Sequence, residues 1–141
     1  MKTRRQIILS AVVGLTATVA SGDGNGSEPP KEVTEFVERY NKVVSDENQE
    51  AYKKLLHPNG SANRRQSDIF QGWKAYDPRP KTTRIEVLHS EHDLVILRLR
   101  DRTHFPEYPL FTIDTRLVVL RRWEKQLLLW SDDILDSHKE G

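Results

Sequence analysis

The residues whose type and spacing could do chemistry are carboxylates and one imidazole set within apolar stretches. Asp114 interrupts the run from Leu110 to Leu120. An unpaired carboxylate turned inward there costs several kcal/mol, so Asp114 either lines a pocket, where it can move a proton, or points to solvent. Arg116 shares its face two residues on, and a surface ion pair between the two is the simpler account. His57 closes a leucine-rich helical stretch just before Pro58. Its ring can act in acid-base chemistry, or it can do the plainer work of meeting the helix dipole and capping carbonyls. Asp132 follows Trp130 by two, which places a carboxylate beside an aromatic ring on one side of a strand. Tyr40, Trp73, Tyr76, Trp123 and Trp130 supply large rings with polar handles, suited to a ligand pocket and equally to core packing.

Composition narrows the chemistry. The chain has no cysteine, so disulfides, thiol nucleophiles and thiolate metal sites are excluded. His89 and His92 flank a turn, and His104 and His138 lie in polar segments. No pair has metal-ligand spacing backed by carboxylates, so neither a metal nor another cofactor is expected. Three of the 22 basic residues and none of the 21 acidic ones fall in the first 21 positions, leaving the remainder near −2. That balance provides no long-range field for phosphate backbones, and the arginines of Arg98-Leu99-Arg100 alternate with leucine as on a solvated strand face. No nucleic-acid partner is expected.

These residues need elements to hold them. Val33, Phe36, Val37, Tyr40, Val43 and Val44 recur at helical spacing and predict a long amphipathic helix from Lys31. Ala51, Tyr52, Leu55 and Leu56 predict a second helix, stopped by Pro58 and Gly60, and a short third helix is expected near Ser67–Lys74. Four strands follow: Thr82–Leu88 and Leu94–Arg102 as a hairpin, then Leu110–Trp123 and Leu127–Ile134 about the turn Glu124-Lys125-Gln126. Helices first and antiparallel strands after them make an α+β domain, with residues 31–135 folded and residues 136–141 a polar tail.

Ahead of the domain, Thr3-Arg4-Arg5-Gln6-Ile7-Ile8 leads into an apolar run ending at Ala20. The segment resembles a twin-arginine export signal, with Arg4 and Arg5 as the signal pair and residues 1–21 as the peptide. At about 1.5 Å per residue the run falls short of the roughly 30 Å hydrocarbon core, so cleavage is expected over a permanent span, and membrane association only if the segment stays uncleaved. There is no cysteine for lipid attachment. Residues 22–30, rich in glycine, serine and proline, read as a flexible tether, and the export signal ahead of it implies an extracellular or cell-envelope location.

The long helix, the second helix ending in Leu55-Leu56-His57-Pro58-Asn59-Gly60 and the long antiparallel strands resemble the NTF2-like, or SnoaL-like, family of cystatin-like cone domains. The resemblance implies a sheet of about four strands wrapped around the first helix, a pocket at the open end and often a dimer through the sheet. It does not imply one activity. The first expectation is therefore an exported module binding a small apolar or amphipathic ligand or a protein partner, with Tyr40, Trp73, Tyr76, Trp123, Trp130 and Asp132 as ligand-binding residues. The second is an acid-base isomerase, dehydratase or hydrolase using Asp114, with His57. The third is a structural homodimer or envelope assembly module.

Overall fold

The computed structural model describes residues 28–140, so the expected signal with Arg4 and Arg5 and most of the tether lie outside the described residues. Helix α1 spans Lys31–Asp46 and buries Val33, Phe36, Val37, Val43 and Val44, the stripe its spacing predicts. It stops where Glu47 turns left-handed at φ 53°; the Glu47 N–H bonds to the Val44 carbonyl, and the turn lets the Asn48 N–H reach back to the Val43 carbonyl, each at 3.1 Å. Asn48 caps α2, Gln49–Lys53, its side chain accepting from the Ala51 N–H. A 3-10 turn over Ser61–Arg65 leads into α3, Gln66–Tyr76.

Four strands form one curved antiparallel sheet in the order β1-β2-β3-β4: β1 Arg79–Ser90, β2 Leu94–Phe105, β3 Leu110–Trp123 and β4 Gln126–Glu140. The α+β order and the strand number agree with the sequence pattern. Two details differ. Leu55 and Leu56 do not extend the second helix; their backbone bonds to β4 instead, with the Leu129 N–H donating to the Leu55 carbonyl at 2.7 Å and the His57 N–H to the Leu129 carbonyl at 2.9 Å. This covers part of the free edge of β4. The residues expected to be a polar tail continue β4 as far as Glu140, paired with Phe111–Thr115 of β3.

The pairing skips a residue at Thr83 and Leu88 in β1 and at Trp130 and Leu135 in β4. Each bulge bends the strand and increases its twist, which curls the sheet around α1. On the inner face Val95, Leu97, Leu99, Val118, Leu120 and Leu129 pack against the helix stripe. The same alternation carried further along β2 and β3 changes chemistry, bringing Asp101, Thr103 and Arg116 inward and leaving each nearly buried. One end of the half-cone is thus aliphatic and filled, the other polar.

The contact between loop and sheet has one tight point. A Cβ on Gly60 would stand 2.6 Å from the Trp130 carbonyl oxygen and 2.8 Å from its Cα. Both groups are backbone, so neither gives way cheaply. Gly60→Ala is expected to cost roughly 1 to 3 kcal/mol, the usual penalty of overpacking, as a lower urea midpoint with an unchanged slope.

Candidate functional site

The polar end is organised by Arg116. Its Nε donates to Asp101 Oδ2 at 2.8 Å and its Nη1 to Asp132 Oδ2 at 2.6 Å, while the residue is only 7% exposed. Burial alone favours the neutral form, but the two carboxylates outweigh it and hold the guanidinium charged well above its ordinary range. The hydroxyl of Thr82 donates to Asp101 Oδ1 at 2.6 Å and itself accepts from Asn41 Nδ2 at 2.9 Å. Tyr40 donates to Asp132 Oδ2 at 3.1 Å, with the guanidinium 5.0 Å from its ring centre. Burial, then the charge of Asp132, raises the Tyr40 phenol above its usual value; the same two causes push Tyr52 up to about 12. Both phenols therefore stay protonated, and Tyr40 serves as a donor to Asp132.

Above this network lies a cavity of about 210 Å³. Val44, Ala62, Ile69, Trp73, Phe105 and Ile134 form apolar walls, and Asp101, Asp114, Arg116 and Asp132 form the polar side. Trp73 is held by edge contact with Tyr52 at 5.3 Å and tilted contact with Phe70 at 5.0 Å. Arg65 stands at the border, donating to the Asp132 carbonyl at 2.9 Å and pairing with Asp133 at 3.6 Å.

The structure divides the residues singled out from sequence. Asp114, Tyr40, Trp73 and Asp132 line the cavity. Asp114 does not pair with Arg116 but accepts from the hydroxyls of Ser137 at 2.5 Å and Thr112 at 3.3 Å. Tyr76 is 53% exposed, against Phe105 and Tyr108. His57 lies away from the cavity, its ring edge-on to Trp123 at 5.3 Å and Trp130 at 4.9 Å. Its Nδ1 accepts the Asn59 N–H at 3.1 Å, the reverse of capping a carbonyl with the ring. Trp123 is 42% exposed, and Trp130, the bulged residue, sits under the Arg121 guanidinium rather than beside Asp132. Among the described residues no group of three or more potential ligands is placed to hold a metal ion.

Sequence reasoning missed Asp101, Thr103, Ile69, Arg65 and the true partners of Arg116. For Asp101 a signal existed: Leu97, Leu99 and Asp101 share a parity, so the alternation that turns the arginines outward also turns this acid inward.

No protein-family model matches the chain, and no curated protein matches it in sequence. Likeness is found among solved structures. Bd1075 of Bdellovibrio bacteriovorus superposes with a TM-score of 0.63 at 8% identity over 74% of this chain, which spans 39% of the length of Bd1075. A protein of Caulobacter vibrioides with a cystatin-like fold gives 0.56 at 12% identity, covering 74% of this chain and 88% of that one. The fold is cystatin-like. At these identities the likeness speaks for architecture alone, and it agrees with a cone in which helix and sheet enclose one end.

Two outcomes follow from the charges. Arg116→Met would leave Asp101 and Asp132 without their counter-charge, and removing one partner of a buried ion group costs about 3 to 5 kcal/mol. Denaturant unfolding at neutral pH should show that loss as a lower midpoint. Burial, with Arg121 adding to it, lowers His57 below its usual value. An unfolded histidine titrates near 6.5, so stability should be level above that pH and fall below it as protons favour the unfolded chain. The melting temperature should drop between about pH 7 and pH 5, and His57→Gln, which keeps an acceptor for Asn59, should flatten that drop.

Proposed function

We propose that the domain is an NTF2-like module of an exported protein and binds one small, mostly apolar ligand in the cavity at the open end of the cone. The observation that carries the reading is an apolar-walled cavity laid over a buried, hydrogen-bonded arginine and carboxylate network. Buried ion groups of this kind contribute little net stability compared with packed apolar residues. Beside a cavity they supply a rigid polar floor that orients a ligand. Size supports the reading too. A cavity of about 150 Å³ holds benzene, whereas drug-sized ligands take roughly 300 Å³ or more. The present volume of about 210 Å³ suits a single ring with a short substituent. Export is proposed from Arg4, Arg5 and the apolar run that follows them.

A second reading is supported by one placement: Asp114 stands in the wall of the same cavity. As a SnoaL-like acid-base enzyme the domain would use Asp114 to take a proton from a bound substrate. Its two hydroxyl donors, together with the engagement of Asp101 and Asp132 by Arg116, favour binding over proton transfer. The two readings part on Asp114→Asn, which under binding alone leaves affinity for a neutral ligand unchanged and under catalysis abolishes turnover while leaving that affinity.

Saturation-transfer NMR with phenol and indole as probes tests the cavity. Both are expected to receive magnetisation from the protein. Ile69→Trp, which places bulk in the wall at a half-buried position, should abolish the effect with little change in melting temperature. Equal transfer in the filled variant would place the probes elsewhere and end this reading.

A further inference from the structure

We infer that the ligand is cationic: an organic amine whose apolar body fills the cavity and whose ammonium docks at Asp114. The inference rests on the binding reading above and assigns its ligand class. Its first support is register. Asp101 of β2 and Asp114 of β3 are directly opposed in the sheet on the inner face, with Ser137 opposite Asp114 on the other side. Like charges directly opposed across strands are destabilising, so a pair retained there needs positive charge nearby.

The structure answers that need for Asp101 alone. Both of its oxygens are engaged, Oδ2 by Arg116 and Oδ1 by Thr82. Arg116 also serves Asp132, so one guanidinium already faces two carboxylates. Asp114 is held by hydroxyls only, and among the described residues no cationic side chain is paired with it. Arg65, the other cation at the cavity, is engaged with Asp133 and the Asp132 carbonyl. The polar side thus carries three carboxylates against one buried guanidinium.

Electrostatic complementarity follows from this balance. A carboxylate or phosphate ligand would meet net negative charge, and its strongest partner, Arg116, is already committed. A neutral ligand would leave Asp114 as it is. An ammonium would give Asp114 a charge-assisted hydrogen bond and relieve its opposition to Asp101. The remaining walls specify the rest of the molecule: Val44, Ile69, Trp73, Phe105 and Ile134 are apolar and suit an aromatic or aliphatic body. A bare metal ion would leave those apolar walls empty.

Isothermal titration of the whole chain with three matched probes, 2-phenylethylamine, 2-phenylethanol and phenylacetate, separates the cases. The amine is expected to bind about tenfold or more tighter than the alcohol, as a charge-assisted hydrogen bond provides, with phenylacetate weakest. Asp114→Asn should bring the amine down to the level of the alcohol and leave the alcohol unchanged. If the alcohol or phenylacetate binds as tightly as the amine, or if Asp114→Asn leaves the preference intact, the cationic assignment is wrong while the cavity remains a binding site. If none of the three binds, both this inference and the binding reading fall. A circular dichroism melt of Asp114→Asn guards against mistaking unfolding for lost affinity.

Discussion

The burial of Arg116 between Asp101 and Asp132 is the constraint around which the polar end of the domain is arranged. A guanidinium that is almost wholly buried is tolerable only if its charge is matched and its donors are used. This requirement ties three neighbouring strands together, because Asp101 lies on β2, Arg116 on β3 and Asp132 on β4. It extends to α1 through Tyr40 on Asp132 and to β1 through Thr82 on Asp101, with Asn41 donating to Thr82 in turn. Helix and sheet are thereby joined at the open end by hydrogen bonds, where at the closed end they are joined by aliphatic packing.

The same arrangement accounts for the cavity. Apolar side chains would close over one another at this end as they do around Leu97 and Leu120. Directional bonds hold the polar groups at fixed positions, and the space between them and the walls formed by Trp73, Ile69 and Phe105 stays open. The floor is set by backbone register as well as by side chains, since its carboxylates and guanidinium come from three paired strands. His57 serves a different part of the structure. It packs against two tryptophans and anchors the loop that covers the edge of β4.

Much of the architecture was legible in the chain itself. The apolar stripe of α1, the alternation in β2 and the order of helices before strands follow from periodicities of 3.6 and 2, which any solvated chain with one apolar face must show. The shift from leucine to aspartate and threonine along one face of β2 was also legible, though only by following parity through Asp101. Individual candidates such as Asp114, Tyr40, Trp73 and Asp132 were recognisable as ring or carboxylate groups in apolar surroundings.

What the sequence determined by itself was which faces are apolar and which residues interrupt them; the tertiary structure alone decided who meets whom. Arg116 and Asp114 share a face two residues apart, yet the guanidinium reaches sideways instead. Asp101 and Asp132 are its diagonal neighbours on the flanking strands, Arg116 being registered with Leu99 and Ile134. Register is a relation between strands and leaves no mark in either strand read alone. The bulge at Trp130 shows the same thing within one strand. Equal parity places Trp130 and Asp132 together, but one unpaired residue breaks the alternation, sending the ring toward His57 and Arg121 while Asp132 faces the cavity. A backbone bulge of this kind depends on what packs against the strand, here Gly60 and the loop after α2, and such contacts exist only once the chain has folded.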